Sequence, residues 1–293
     1  MNGLIPTQNN DALAGVRNLF RHLMDAHVVE ALYVPLETEN SVITPALVTD
    51  PVYLERANPF APAMPINGAR AVAEITGKHA PAQIGVVLRS CELRALMDLI
   101  KLQQSSLEQL VLIGVDCPGT YEWAEYNRLQ RDGGLSLDDY LAAGSRGENL
   151  ASPALRVACQ MCNQPVPEPA DIRLHIFGAD LSQGIPITVE DGIASLLELE
   201  PVEVSGADGR QAVVDRVIAQ RDQVRQRSLP PCASDWMQRM ASPRYSPPAS
   251  AATTARPPAR SAIARPACSA LLPLTMSRNT TSQLPGAKAP CGC

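Results

Sequence analysis

Two uninterrupted apolar runs of strand length frame an amphipathic one near the middle of the chain. "QIGVVLR" (Gln83 to Arg89) and "QLVLIGVD" (Gln109 to Asp116) show no polar alternation, the pattern of strands covered on both faces. Between them, "CELRALMDLIKLQ" (Cys91 to Gln103) sets Leu93, Leu96, Met97 and Ile100 at helical spacing. Strand, helix, strand in this order is a βαβ unit with parallel strands. Upstream, Asp11 is placed to cap a helix with Val16, Leu19, Phe20 and Leu23 on one face, ending near Ala26. "EALYVPL" and "SVITPALV" read as short strands whose prolines favour edges or bends. "NGARAVAEITGK" reads as a helix closed by Gly77, Gly133-Gly134 as a turn, and "QAVVDRVIAQRDQVRQR" (Gln211 to Arg227) as an amphipathic helix for packing or partner docking. The fold class expected is α/β, with a mixed or parallel sheet and flanking helices.

Charge divides the chain in two. Residues 1–230 carry 29 acids against 18 Lys and Arg, a net −11, while residues 231–293 carry one acid against seven basic residues, a net +6. The second stretch is dominated by Pro, Ala and Ser, so it cannot bury enough apolar surface to offset the entropy of ordering and is expected to be a disordered tail. A second reading of the tail is a one-base frame change. Ala249, Ala252, Ala255 and Ala259, followed by Arg260, become C-x-x-C-x-x-C-x-x-x-C-P when read one nucleotide earlier with T before each alanine codon. That is the spacing of a bacterial ferredoxin segment. Sequencing the gene decides between the two.

At 293 residues the chain is long enough for a substantial core. It has no run of about 18 apolar residues and no basic, apolar leader at Met1 to Asn10, so no membrane span and a cytoplasmic location are expected. A net charge of −5 and 4% aromatic residues argue against nucleic acid as a partner. In a reducing compartment, eight cysteines point to metal or redox chemistry rather than disulfides.

The position of those cysteines narrows the chemistry. Cys91 stands where the first apolar strand meets its helix, and Cys117 directly after the second strand. If the strands are neighbours, both sulfurs lie on the carboxyl rim of the sheet, where open α/β sheets bind ligands at a switch in strand order. The helix start also favours an anion at Cys91. Cys159 and Cys162 form a CxxC in "VACQMCNQPVPEP", stiffened by three prolines. Four thiolates complete the shell of a cubane cluster or a structural zinc ion. Arg89, Arg94 and Arg156 flank them, and Asn163 and Gln164 can donate hydrogen bonds that tune a cluster. A thioredoxin-like dithiol fits less well, because Pro165 follows where that site needs a helix start. Cys232, Cys268, Cys291 and Cys293 are given no role. His22, His27, His79 and His175 are scattered, with His175 alternating as a strand residue in "DIRLHIFG", and Glu122, Glu125, Asp138 and Asp139 read as solvated faces. Neither GxGxxG nor GxxxxGK[ST] occurs, so no ordinary dinucleotide site or P-loop is indicated.

"GVVLRSCELRALMDLIKLQQ", "VLIGVDCPGTYE" and "RVACQMCNQPVPEPADIRL" together resemble the beta subunit family of coenzyme F-420 hydrogenases and dehydrogenases, formate dehydrogenase beta subunits included, over roughly Val29 to Glu200. The resemblance implies an iron-sulfur flavoprotein in which FAD exchanges a hydride with a deazaflavin or nicotinamide carrier and passes single electrons to 4Fe-4S clusters, in complex with other subunits of a redox assembly. On the matching positions, Cys91, Cys117, Cys159 and Cys162 would be cluster ligands, and Arg89, Ser90 and Glu92 neighbours of the flavin or its phosphates. The tail departs from the family pattern, since members often carry a further ferredoxin-like segment. The alternatives are a zinc-stabilised α/β binding module and, third, a thiol oxidoreductase.

Overall fold

The computed structural model describes residues 1–7, 11–39, 42–76, 82–148, 154–198, 202 and 207–228. Gly77, Cys232 and the whole 231–293 tail, with the alanine spacing noted above, lie outside the described residues.

The two apolar runs form β4 (Ile84–Arg89) and β5 (Leu110–Val115), buried at every position. They pair in parallel, Ile84 opposite Leu110 through Arg89 opposite Val115, and α3 (Ser90–Lys101) connects them. Asp11 caps α1 (Ala12–Asp25) by accepting from the Ala14 N–H at 3.0 Å, and the helix buries Val16, Leu19, Phe20 and Leu23. β2 (Ala31–Glu37) pairs in parallel with β4 and antiparallel with β3 (Ile43–Val48), the edge strand, where Pro35 and Pro45 face each other. A proline at each of these positions interrupts the ladder where an edge tolerates it. A 3-10 segment (Pro51–Arg56) and α2 (Gly68–Thr76) lead into β4.

Beyond β5 run α4 (Trp123–Arg131), α5 (Leu137–Ser145), the single turn α6 (Val157–Gln160), β6 (Ile172–Leu174), β7 (Ile185–Val189), α7 (Asp191–Leu196) and α8 (Ala207–Ser228). β1 (Asn2–Ile5) closes the far edge against β7. The seven-stranded sheet has the order β1-β7-β6-β5-β4-β2-β3, parallel across its four central strands and antiparallel at β1/β7, β6/β7 and β2/β3. The expected mixed α/β sheet with flanking helices is therefore present.

Strand parity assigns the two faces. Tyr33, Ile84, Val86, Leu88, Leu110 and Leu112 bury against α2 and α3 through Val72, Leu93 and Leu96. Leu32, Val87, Val111, Ile113 and Val115 bury on the other side with Phe20 and Leu23 of α1 and with Tyr126, Tyr140 and Leu141 of α4 and α5. From β2 the chain steps through β4, β5 and β6 in one direction, so no reversal of strand order stands between β4 and β5. What crosses the rim there is the connection itself. Residues 116–148 leave β5 and pack α4 and α5 on the α1 side, and residues 154–171 cross the carboxyl end and pass down the α3 side. Gly114 marks the descent: a Cβ there would stand 2.5 Å from Cβ of Pro167 and 2.9 Å from that of Ala170. Among the described residues no helix is long and apolar enough to cross a membrane.

Candidate functional site at the carboxyl rim

The turn from β4 into α3 is built by Arg89, Ser90 and Glu92, all buried. Glu92, the third residue of α3, reaches back with one carboxylate oxygen to the Arg89 N–H at 3.0 Å and with the other to the Gly68 N–H at 2.7 Å. Half of a capping box thus also fastens the start of α2 to the rim. The Arg89 guanidinium donates to the carbonyls of Ala61 and Ala63, holding residues 61–63, whose neighbour Pro62 accepts the Tyr121 N–H at 2.9 Å. Arg89 and Glu92 therefore spend their side chains inside the protein, and Ser90 lies beneath the surface.

The second residue of α3 is Cys91. Burial pushes its thiol up to about 12, with Cys117 and Glu92 raising it further and Arg89 opposing them. Cys117 follows β5 by two residues, and its N–H donates to the Pro165 carbonyl at 2.9 Å, which ties the proline loop to the strand end. Its thiol is raised by burial and by Cys159, while the charges of Arg89 and Arg221 pull it down.

Thr120 accepts the Arg156 N–H at 2.8 Å through its carbonyl, which seats α6 over the rim, and its hydroxyl meets Sγ of Cys159 at 3.3 Å. The turn continues with the Cys162 N–H donating to the Cys159 carbonyl at 3.3 Å and with Sγ of Cys162 against the Gln164 carbonyl at 3.7 Å. Behind these loops Gly119, at φ +124°, turns the chain where a side chain would strike Leu155, and its carbonyl accepts the Tyr140 hydroxyl at 2.6 Å.

Cys91, Cys117 and Cys159 lie near enough to act on one another's ionisation, and Cys162 stands one turn from Cys159. All four are free thiols, partly buried. Among the described residues, no group of three or more His, Cys, Asp or Glu side chains is arranged to hold a metal ion. β4 and β5 are parallel neighbours, so Cys91 and Cys117 stand at the same end of the sheet.

Three side chains that the sequence reading passed over frame this rim. Asp116, between β5 and Cys117, is fully buried and accepts from the N–H groups of Ile176 and Phe177 at 2.8 and 3.1 Å. Arg210 of α8 grips the same carboxylate with two donors, at 2.5 and 3.0 Å. Farther along α8, Arg221 is 4% exposed and donates to the carbonyls of Pro118 and Cys162. The signal for Arg221 was a charge in line with the apolar positions Val214 and Val217 of one helical stripe. For Asp116 it was an acid closing an otherwise apolar strand.

No family model and no curated protein matches the chain. Among solved structures, the fold is similar to a chain of the F420-reducing [NiFe] hydrogenase complex from Methanosarcina barkeri, in a study of its xenon derivatization. The TM-score is 0.56 at 13% identity, over 76% of this chain and 90% of that one. This likeness is one of fold.

Outside the rim, the β1-β7-β6 half of the sheet borders a cavity of about 620 Å³ lined by Arg173, His175, Thr188, Val166, Arg210 and others. His175 sits one residue past β6 rather than within it. Its Nε2 pairs with the Thr188 hydroxyl at 2.8 Å while Nδ1 is buried without a partner among the described residues. Burial lowers its pKa to about 4, with Arg210 and Arg173 lowering it further and Asp116 opposing them.

Proposed function

We propose that this chain is an electron-transfer subunit of a redox complex, with a 4Fe-4S cluster held by Cys91, Cys117, Cys159 and Cys162. One observation carries the reading. Cys91 and Cys117 follow the ends of two paired parallel strands, Cys159 meets the Thr120 hydroxyl three residues past Cys117, and the same loops hold two buried guanidinium groups, Arg89 and Arg221, whose hydrogen bonds go to carbonyl oxygens. Burying a cation without a carboxylate bonded to it is costly. A tetrathiolate centre, which is anionic, offsets that cost in those loops. The chemistry of the donors suits the group, although the side chains are not gathered around a metal position among the described residues: two cysteines follow strand ends, and two lie on a turn tied to the first pair through Cys117 to Pro165 and Arg156 to Thr120. Such a cluster supplies one-electron acceptance and release.

What the chain's own residues contribute is placement and shielding. Glu92 and Arg89 fix the start of α3 and so the Cys91 position, Asp116 fixes the exit from β5 and so Cys117, and Tyr140 and Leu155 back the loop that follows. The fold similarity to a hydrogenase-complex chain favours a redox role over a zinc-stabilised binding module with the same ligands. FAD, with a deazaflavin or nicotinamide as hydride carrier, rests on the family resemblance. Arg89 and Glu92 are engaged internally, so they would form the floor of a flavin site rather than grip its phosphates.

Anaerobic purification with iron, sulfide, zinc and flavin analysis tests the reading. The expected result is a brown protein with about four irons and four sulfides per chain. One zinc in a colourless protein establishes the binding-module reading instead, and a metal-free protein with a titratable dithiol the thiol oxidoreductase. Cys159→Ser is expected to lose most of the iron while remaining folded; full iron retention removes Cys159 from the ligand set.

A further inference from the structure

The inward stripe of α8 carries Arg210, Val214, Val217 and Arg221. Val214 and Val217 pack with Phe177 in a small core of their own, which holds the helix against the chain leaving β6. That packing delivers two guanidinium groups to one short segment, Asp116-Cys117-Pro118. Arg210 takes the side chain before Cys117 and Arg221 the carbonyl after it. Arg221 also reaches the Cys162 carbonyl at 3.4 Å. A single side chain therefore bridges the loop of the second strand and the end of the CxxC, segments that are otherwise far apart in sequence. Its Nε is buried with no partner among the described residues.

On the footing of the iron-sulfur reading, we propose that Arg221 is the positioning residue of the centre: it joins the Cys117 and Cys162 loops, and its charge, bonded to no carboxylate among the described residues, holds the reduction potential up. The physical argument has two parts. A planar guanidinium with several donors in fixed directions can satisfy two carbonyls at once, which a lysine cannot do as well. A buried positive charge beside a cluster also favours the form carrying one more electron, because screening by water is weak there. Removing that charge makes reduction harder.

The test is a potentiometric titration with dithionite on anaerobically purified full chain, followed by visible absorption and electron paramagnetic resonance. Arg221→Gln is expected to lower the midpoint by at least a tenfold change in the one-electron equilibrium, about 60 mV. Arg221→Lys keeps the charge and is expected to stay within half of that. Equal shifts in both variants would show a merely structural role, and no shift in either would remove the electrostatic one. Alkylation of the metal-free chain reads the bridging role independently of cluster loading. Both variants are expected to expose Cys117 and Cys162 several-fold faster than the unmodified chain, with the exposed control Arg225→Gln unchanged; unaltered rates overturn the bridge. Absence of iron from the unmodified protein overturns the underlying reading as well, whereas iron present with a potential indifferent to Arg221 overturns this inference alone.

Discussion

The two arginines of α8 that point inward occupy opposite electrostatic situations. Arg210, with 22% of its side chain exposed, holds a fully buried carboxylate with two donors, and that carboxylate is further satisfied by two backbone N–H groups. Arg221 is buried more deeply, yet among the described residues its hydrogen bonds end on two carbonyls and one N–H has no partner. Desolvation alone would place the carboxylate where burial is deepest. The reverse arrangement separates a structural end of the helix, complete within the protein, from an end whose charge faces the thiols.

Breaking the complete end is expected to produce the largest loss. Asp116→Ala leaves the Arg210 charge without its partner and two backbone N–H groups without an acceptor, with a cost of about 3–5 kcal/mol. Urea denaturation at an unchanged m-value measures it. A loss under about 1 kcal/mol would mean that the Arg210 end is no more structural than the Arg221 end. Asp116→Asn, which keeps an acceptor oxygen for the N–H groups, is expected to fall between the two.

The next effect is a dependence on pH at the same end. His175 is held neutral, its pKa lowered to about 4 chiefly by burial and then by Arg210. The unfolded chain takes up a proton near the ordinary value of about 6.5, before the folded chain does. The contribution to stability is thus fully present above pH 6.5 and is lost as pH falls from there toward 4, by at most about 3 kcal/mol. Replacing His175 by Gln is expected to flatten that slope in a denaturation series between pH 7 and 4. Arg210→Met is expected to narrow the window, since one of the groups repelling the proton is gone. An undiminished slope in His175→Gln would assign the acid sensitivity to other groups.

How much of this was visible in the sequence follows the range of each interaction. β4, β5 and α3 were legible because a strand covered on both faces writes a continuous apolar run, and an amphipathic helix writes a 3.6-residue period. The meeting of Cys91 and Cys117 followed, since parallel neighbours put their carboxyl ends on one rim. α1 was legible down to its cap at Asp11. β1 was not: four residues pair with β7 near the other end of the described chain, and no local pattern encodes that partner. The neighbours of the β4/β5 pair escaped, because nothing local names β2 and β6 as flanking strands, and a Gly at position 114 signals close approach without naming Pro167 as what approaches. Arg89 and Glu92 were singled out through the family resemblance as neighbours of a flavin, and local spacing could not reveal that Ala61, Ala63 and Gly68 would occupy their donors and acceptors. Arg221 had been read only as part of a packing helix, because which face of that helix turns inward is decided by Phe177 and the loop carrying Cys162.

The smallest expected effect is at the Arg221 end of the metal-free chain. Arg221→Met removes one hydrogen bond to Pro118 and a longer one to Cys162, but it also removes a buried charge and an N–H with no partner. Those contributions oppose each other, so the net change in the metal-free protein is expected to lie within about 1 kcal/mol. The cancellation is specific to that state. With an anionic centre between the loops, the same charge is compensated, and its removal leaves both the bridge and the compensation missing. The loss measured by denaturation should then be larger in the metal-loaded protein than in the metal-free one. Equal losses in the two states would place Arg221 beside Arg210 as ordinary scaffold, and the contrast between the ends of α8 would carry no chemistry.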